Sequence, residues 1–435
     1  MKASRRTVVQ QRRGTRTVPR RGLATRGRGA GAARRAAVRL ALAGAACVAF
    51  AGAARAGSQF SYGGLGEWVW PSDVRGAGMG GVGASVPDKR NLSLVNPAAA
   101  AFVEQPTIYL SMATERRNAD DGRTEFKGRG VDFPLLRGVA FPPGGVRLTA
   151  ALHQWNHTEF EMIAAGPPDT LFGSIERAEG TGGFTALAAG AAMRPVSWLA
   201  VGLSADFPFG SYRETWRREF PDSLGLVDSA DRLKGTPGSK PSWTVGAIGI
   251  FGRATLGAYF RPARDIDFEE ELSNISGDVV RSERTFHFPM EAGGGVSVLL
   301  MRGLRIGVDA ARSPWSEFEV DGAAQPGFRD VTRIGAGLEW VRDPSPRARF
   351  LRRVPLRLGY YQQPWHFRDA EGNDIDERFV TLGLGIPFSR DNGIFDAAVE
   401  IGRRGDLDGN GLEESIIRLT LGVTHSRVDT RQFPQ

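Results

Sequence analysis

Two histidines and a glutamate lie close together in the segment HQWNHTEFE, as His153, His157 and Glu161. On a helix, a spacing of four residues would bring both imidazoles to one face, as in zinc-binding helices. The segment instead continues the alternating apolar pattern of residues 146–152, which predicts a strand. In a strand the two histidines are about 13 Å apart. We therefore expect two separate inward-facing polar residues and no metal site.

The turn DLDGNG is a second candidate, because Asp406, Asp408 and Asn410 occupy the first, third and fifth positions of a calcium-binding loop. Ile417 stands at the twelfth position, where such loops carry a bidentate glutamate. A plain hairpin turn explains aspartate, asparagine and glycine equally well. The sequence leaves weak calcium binding open at this turn and indicates no other cofactor.

Gly76, Gly78 and Gly81 match the glycine pattern of a dinucleotide-binding turn. That turn works only between a buried strand and a helix. Pro71 and Ser72 stand where the strand would end, and few helix-forming residues follow. We therefore interpret these glycines as positions where the backbone turns sharply or approaches another surface closely.

Residues elsewhere do not indicate catalysis. The sequence contains no nucleophile elbow, paired cysteines or phosphate loop, and its five histidines are scattered. An outer-membrane phospholipase would need serine and histidine placed together near the outer rim. The sequence predicts a protein that is not an enzyme and has no catalytic residues.

Residues 1–56 hold fourteen of the 56 basic residues and no Asp or Glu. The apolar run Leu40–Ala54 follows three arginines and ends in the small-x-small sequence Ala54-Arg55-Ala56, which is typical of a secretory signal peptide. An arginine-rich RNA-binding tail is the alternative. Without residues 1–56 the chain has 42 basic and 48 acidic residues and loses Cys47, so we expect no nucleic-acid partner and no disulfide.

From residue 105 to 425, apolar side chains alternate with glycine, polar and charged ones. Clear examples are Val354–Tyr361, Val380–Phe388 and Ile417–Val423. The pattern predicts fourteen strands, at roughly 106–116, 124–140, 146–163, 170–193, 197–213, 240–251, 253–272, 283–299, 304–321, 328–342, 354–366, 376–388, 394–405 and 412–425.

Alternation alone fits both a soluble periplasmic β-protein and a membrane barrel, in which the apolar face meets lipid. The second face is rich in glycine and charge, and the connections are short on one side and longer on the other, as at Glu214–Ser239. Tryptophans also stand near strand ends, as membrane girdles do: Trp198, Trp243, Trp315, Trp340 and Trp365. The predicted fold is all-β, a transmembrane antiparallel β-barrel of about 14 strands.

The glycine-rich stretch also carries a family resemblance. The sequence R-x-x-GMGG at 75–81, followed by Asn96-Pro97-Ala98, resembles the N-terminal hatch of FadL/TodX-like outer-membrane transporters. PorV-type barrels of type IX secretion share a similar signature. The resemblance implies a fourteen-stranded barrel with a plug in its lumen, formed by Gly78, Met79, Gly80, Gly81, Asn96, Pro97 and Ala98.

The resemblance implies uptake of hydrophobic compounds such as long-chain fatty acids by a monomer in contact with outer-membrane lipids. The alternatives are a PorV-type barrel that binds secreted proteins and a structural outer-membrane protein. Such transporters release ligand sideways at a distorted strand, and Pro134, which lacks an amide proton, is the candidate distortion. The predicted organisation is a signal peptide at 1–56, lead-in and hatch at 57–104, barrel at 105–425 and tail at 426–435.

Overall fold

The computed structural model describes residues 57–62, 65–90, 92–141, 144–165, 174–220, 229–345, 347–369, 371–388 and 392–426. The predicted signal peptide and residues 427–435 of the predicted tail lie outside this described part.

Fourteen antiparallel strands form a closed barrel, as predicted. Each strand pairs with the next, and the last pairs with the first from Thr107↔Ser426 to Asp120↔Glu413. The strands are β1 Thr107–Asp120, β2 Glu125–Ala140, β3 Arg147–Gln154 with Phe160–Ala165, β4 Ile175–Val196, β5 Leu199–Glu219, β6 Ser229–Pro237 with Ser242–Phe251, β7 Ala254–Arg261 with Arg264–Asn274, β8 Val279–Phe288 with Glu291–Met301, β9 Leu304–Ser313 with Glu319–Val320, β10 Ala323–Ala324 with Val331–Val341, β11 Pro355–Pro364, β12 Asp376–Phe388, β13 Gly393–Asp406 and β14 Leu412–Ser426.

The two ends of the barrel have different connections. At the turn end, where the chain enters β1 and leaves β14, the connections are 141–146, 197–198, 252–253, 302–303, 342–354 and 389–392. At the loop end they are 121–124, 166–174, 220–228, 275–278, 321–322, 365–375 and 407–411. Several loop-end connections are as short as those at the turn end, because the strands themselves extend further than the alternation predicted.

Alternation places apolar side chains on the outside of the wall near the turn end. Leu356 and Leu358 are exposed while Arg357 between them is buried, and Val380 and Leu382 are likewise exposed on either side of buried Thr381. An apolar outer face over a polar inner face is typical of a barrel wall that meets lipid. Among the described residues, no helix has the length and apolar character needed to cross a bilayer.

The structure corrects three predictions. The third strand is not continuous, because residues 155–159 leave the barrel ladder. Most of the predicted loop Glu214–Ser239 is strand, in the outer parts of β5 and β6. Trp315 and Trp365 do not belong to a membrane girdle, since Trp365 is buried and Trp315 packs on an internal aromatic cluster. Trp198, Trp243 and Trp340 are exposed on the outside of the wall, consistent with a girdle.

The five neighbouring strands β6–β10 are each interrupted, and in three of them the break begins at a proline: β7 at Pro262, β8 at Pro289 and β9 at Pro314. Proline cannot donate a ladder hydrogen bond, so it is found at edges and bulges. At each of these three prolines the inward-facing residues change from odd-numbered on the turn side to even-numbered on the loop side. In β8, Ser297 is buried on the turn side, whereas even-numbered Phe286 is buried on the loop side. We call the parts of the barrel on either side of these breaks the turn half and the loop half.

Candidate functional site

The N-terminal segment, residues 57–104, packs against the inward face of the barrel. Its glycines meet glycines of the wall: Gly78 lies against Gly383, and Gly80 lies against Gly359. A Cβ on Gly359 would overlap the backbone of Met79 and Gly80. Gly80 has a φ of 71°, a conformation that favours glycine. Close backbone approach, rather than phosphate binding, therefore explains the GMGG sequence.

The short helix at these glycines, Val74–Ala77, has four residues and is capped by Asp73, whose Oδ1 accepts a hydrogen bond of 2.8 Å from the Gly76 amide. Desolvation raises the pKa of the Asp73 carboxyl, although this hydrogen bond opposes the shift. The cap occupies the amide end of the helix with a side chain of the same segment. This is the arrangement of a structural turn.

Asn96 anchors the second half of the segment. Its Nδ2 donates to the carbonyl oxygens of Ala84, at 2.9 Å, and of Ala247 and Ala258 in the wall. Its Oδ1 accepts from the Ala98 amide and so caps the 3₁₀ helix Pro97–Phe102. One asparagine thus joins two parts of the segment to two wall strands.

Glu67 is the main ionic anchor of the N-terminal segment. Its carboxylate is 2.8 Å from Arg404 Nη2, 2.9 Å from Arg117 Nη2 and 3.0 Å from Arg418 Nη2. Burial by itself would raise the pKa of Glu67, but the neighbouring arginines hold it well below its ordinary value. Glu67 therefore stays ionised and joins β1, β13 and β14 to the segment.

Two further contacts hold the segment nearer the turn end. Arg75 forms ion pairs with Glu339 at 2.7 Å and Asp88 at 2.8 Å. Asp309 of β9 accepts hydrogen bonds of 2.7 Å from the amides of Gly83 and Ala84. The segment is consequently fixed along its length by charged side chains as well as by backbone contact.

The break in β3 opens the wall beside this segment. The ladder between β2 and β3 runs from Ala140↔Leu148 to Leu135↔His153 and stops there. Beyond it, Phe160–Ala165 pairs with β4 alone. Within the described residues, no ladder joins residues 125–134 of β2 to β3, so the barrel has a lateral gap in its loop half.

Residues of the break turn inward and pair with the N-terminal segment, through Glu67↔His157 and Trp68↔Asn156. The side-chain Nδ2 of Asn156 donates to the Leu65 carbonyl oxygen, and its Oδ1 accepts a 2.7 Å hydrogen bond from the Phe184 backbone amide. Gly183 of β4, with φ 142°, lies against the backbone at Asn156, where a Cβ would overlap it. A glycine pair inside a strand often marks such a close approach, so Gly182-Gly183 was the available sequence signal.

An aromatic cluster fills the loop half of the lumen. Its rings come from several strands: Phe184 of β4 meets Phe268 of β7 edge to face at 5.3 Å, and Phe268 stacks on Phe286 of β8 at 4.3 Å. Trp68 of the N-terminal segment packs on Phe288 at 5.9 Å. The buried members are Trp155, Phe184, Ala186, Tyr212, Ile266, Phe268, Phe286, Phe288, Phe318 and Val320.

Sequence reasoning missed this cluster because the strand breaks reverse the inward face. Phe286 and Phe288 belong to the outward parity of β8 as read from its turn half. Ile266 and Phe268 are in the same position in β7, where Thr255 faces inward on the turn side of the break. The prolines at the breaks were the signal that could have revealed the change.

Two cavities of about 100 Å³ each flank Trp68 and Trp70. The first lies between the aromatic cluster and the wall, and Trp155, His153 and Arg264 line it. The Arg264 guanidinium is 5.2 Å from the Trp155 ring and 5.1 Å from the Phe288 ring, a cation–π arrangement. In the described part of the chain Arg264 has no carboxylate within 4.0 Å, and its Nε has no hydrogen-bond acceptor.

The remaining predicted residues are distributed over the barrel. His153 and His157 each face a carboxylate, Asp206 at 3.4 Å and Glu67 at 3.5 Å. The described residues contain no group of three or more His, Cys, Asp or Glu side chains arranged to hold a metal ion. Pro134 lies where the β1–β2 register shifts between Ser111 and Ala113. Its role in a distorted exit stays a prediction.

The DLDGNG turn has the geometry of a capped turn. The Asp406 carboxylate accepts a hydrogen bond from the Gly409 backbone amide at 2.6 Å, and the side-chain Nδ2 of Asn410 donates to the Asp369 carboxylate at 2.8 Å. Gly411 adopts a left-handed conformation with φ 62°. Asp408 lies in the short helix Leu407–Asn410. Calcium binding by Asp406, Asp408 and Asn410 stays a prediction.

A closed barrel of fourteen antiparallel strands, packed internally on an N-terminal segment, is also the fold of several solved transporter structures. Structural comparison shows this shared fold over most of the chain. The chain is similar to the Ralstonia pickettii toluene transporter TbuX, with a TM-score of 0.57 and 15% identity, over 83% of this chain and 99% of that one. It is also similar to a Pseudomonas aeruginosa FadL homologue, with a TM-score of 0.55 and 14% identity over 83% and 99%. The P. putida toluene transporter TodX matches with a TM-score of 0.53 and 15% identity over 83% and 99%.

A family profile described as BamG matches residues 35–227 and 261–427, which is most of the sequence. The chain therefore belongs to the BamG family. A comparison with curated protein sequences gave no significant match.

Proposed function

We propose that this chain is an outer-membrane protein that takes up hydrophobic compounds through its barrel, with the N-terminal segment acting as a plug. The observation that carries the proposal is the break in β3, which opens a lateral gap directly beside an internal aromatic cluster. A gap in the wall of a membrane barrel connects the lumen to lipid, where an apolar ligand is soluble. The similar structures named for toluene transport and as a FadL homologue support this function.

The proposed route begins at the loop end. An apolar ligand displaces rings of the aromatic cluster and occupies the cavity beside Trp68 and Trp155. It then leaves sideways between β2 and the inward-turned residues 155–159. The plug stays in place during this passage, because Glu67, Arg75 and Asn96 hold it to several strands.

Long-chain fatty acids are the proposed ligands, because the cavity places the guanidinium of Arg264 beside the aromatic cluster. Arg264 is held between two aromatic rings and, within the described residues, lacks a carboxylate partner. A fatty-acid carboxylate would fill that place as a bidentate partner of the guanidinium. Its chain would lie against the aromatic cluster.

The test measures uptake of radiolabelled oleate and toluene by a Gram-negative host that lacks its own fatty-acid porin and expresses this chain behind a working signal peptide. We expect both compounds to enter. The substitution Arg264→Gln should lower oleate uptake severalfold and leave toluene uptake unchanged. Arg281→Gln is the matched control, because Arg281 is exposed and pairs with Glu271 at 3.2 Å.

An inserted barrel that takes up neither compound would refute the transport proposal. Recovery of a secreted protein by cross-linking in the native membrane, without uptake, would favour the alternative PorV-type role. Equal loss of oleate and toluene uptake in Arg264→Gln would refute the fatty-acid assignment alone.

A further inference from the structure

The turn end of the barrel carries a set of exposed arginines that we call the arginine collar. Its members come from four turns, or from the strand end beside them, at the same end of the wall: Arg194, Arg253, Arg302, Arg342, Arg347, Arg349 and Arg352. Within the described residues, none of the seven lies within 4.0 Å of a carboxylate oxygen. Their visible contacts are with carbonyl oxygens and rings, such as Arg253 with the Leu300 carbonyl at 3.3 Å and Arg342 over Trp340 at 5.6 Å.

At the loop end, by contrast, several exposed or partly exposed arginines have carboxylate partners within the chain. Six examples are Arg177–Glu161, Arg218–Glu176, Arg281–Glu271, Arg284–Asp321, Arg312–Asp330 and Arg368–Asp374. The described turns at the other end contain one carboxylate, Asp343, which accepts a hydrogen bond from the Ser345 amide. Acidic side chains therefore accompany many arginines at the loop end, whereas the described turns at the turn end carry the collar with a single carboxylate.

Exposed apolar side chains accompany the collar. The rings of Trp198 and Phe251 lie 6.1 Å apart beside Arg194 and Arg253 in sequence, and both are about half exposed. The helix Phe350–Arg353 presents Leu351, which is 82% exposed, next to Arg352. Apolar side chains flanked by arginine are typical of protein segments at the boundary between acyl chains and headgroups.

We propose that the arginine collar binds the phosphate headgroups of anionic phospholipids in the membrane leaflet next to the turn end. Guanidinium groups match phosphate oxygens in a bidentate geometry, and juxtamembrane clusters of arginine attract anionic lipid. A free anion would account for the arginines but not for exposed Leu351 and Phe350. The lipid provides both a charged headgroup and an apolar region at the same depth as these side chains.

The test measures lipid binding to the purified full chain in detergent, by native mass spectrometry with added phosphatidylglycerol or phosphatidylcholine. Phosphatidylglycerol should bind more tightly, and the preference should fall as salt rises. The triple substitution Arg347→Gln, Arg349→Gln and Arg352→Gln should weaken phosphatidylglycerol binding by about tenfold. The control is Arg281→Gln, Arg284→Gln and Arg312→Gln at the loop end, which should change it little.

A second variant, Leu351→Ser with Phe350→Ser, separates the lipid from other anions. It should weaken phosphatidylglycerol binding while retaining all seven arginines, and inorganic phosphate should compete poorly. Equal binding of the two lipids, an unaffected triple variant, or complete competition by inorganic phosphate would each overturn the proposal. An acidic protein held at the collar in preference to phosphatidylglycerol would also overturn it. Heat-modifiable gel migration confirms that each variant is folded.

Discussion

The turn half and the loop half of this barrel use the same alternating strands in opposite ways. In the turn half, the outward face is apolar, as at Leu356 and Val380, and the inward face carries glycine and charge that fit the N-terminal segment. In the loop half, aromatic side chains such as Phe268 and Phe286 face inward, while ion pairs such as Arg281–Glu271 lie outside. The difference shows that an alternating pattern defines two faces but does not say which face is inside.

The turn half and the loop half also differ in how their inner surfaces are packed. Backbone contacts between glycines, together with the Arg75–Glu339 ion pair, hold the segment against the turn half. The loop half combines the ring contacts of the aromatic cluster with the buried ion pairs of Glu67. Rings can change rotamer without leaving an uncompensated charge, whereas separating a buried pair does leave one. We therefore expect the aromatic cluster to open for a ligand more readily than the N-terminal segment leaves the lumen.

The largest effect should follow from disturbing the glycine contacts of the turn half. In Gly359→Leu the new side chain would overlap the backbone of Met79 and Gly80, which cannot be relieved by a rotamer change. Because the obstructing atoms are backbone, the N-terminal segment must move away, so the cost exceeds the roughly 1–3 kcal/mol of ordinary core overpacking. We expect an inserted barrel with higher single-channel conductance and a protease-sensitive N-terminal segment. Gly138→Ala is the control, because a Cβ there meets no atom within 4 Å. Unchanged conductance would contradict the close-packing interpretation.

Loss of the central ion pair should have the next largest effect. Glu67→Gln leaves Arg117, Arg404 and Arg418 without their shared carboxylate, and breaking a buried pair costs about 3–5 kcal/mol. The unfolding temperature, read from heat-modifiable gel migration, should fall clearly. Glu104→Gln should change it little, because Glu104 and its partner Lys89 are exposed. Equal effects of the two substitutions would argue against a special role for Glu67.

The carboxylate of Glu67 should also make the unfolding temperature depend on pH in the acid range. Because the folded-state pKa of Glu67 is depressed, its stabilising contribution is complete above the unfolded pKa of about 4.3 and is lost as pH falls through the lower folded value. The wild-type unfolding temperature should lose this contribution below about pH 4, and Glu67→Gln should lack that part of the decline.

A smaller effect is expected at His366, which lies in the loop-end connection 365–375. Burial, and then the charge of Arg404, lowers the pKa of His366 to about 3. The unfolded chain binds this proton from about pH 6.5 downwards, so folded stability should decline between about pH 6.5 and about pH 3. His366→Phe should flatten that part of the profile, whereas His287→Asn, at a partly exposed position, should not. An identical slope in wild type and His366→Phe would show that His366 is not the group responsible.

The smallest energetic effect is expected from single cysteine substitutions in β8, which test whether the inward-facing residues change from even-numbered to odd-numbered across Pro289. Single cysteines in β8 can be labelled cleanly, since Cys47 is the one cysteine of the sequence and is replaceable. A polar maleimide should react with Thr285→Cys but not with Phe286→Cys. A lipid-soluble reagent should react with Val296→Cys but not with Ser297→Cys. If odd-numbered cysteines, or even-numbered cysteines, were labelled on both sides of Pro289, the change of inward face would be contradicted.

Much of the barrel could be predicted from local patterns. The strand count, the outward faces of β11–β14 and the close approach of the GMGG glycines follow from alternation and from the lack of a side chain on glycine. The aromatic cluster could not be predicted in this way, because its rings belong to strands far apart in sequence, such as β4 and β8. The inward turn of residues 155–159 was missed for a related reason: it depends on Gly183 and on residues of the N-terminal segment.

By itself, the sequence determined that apolar and polar side chains alternate along fourteen strands and that a glycine-rich segment precedes them. It did so because side-chain direction and glycine conformation are local properties. Only the tertiary structure decided which face is inside in the loop half, where the wall opens and which arginines have partners. Those properties depend on breaks in the ladder and on contacts between distant strands. They arise when the barrel closes and places Glu67 among three arginines, Phe184 against Phe268, and the collar at one rim.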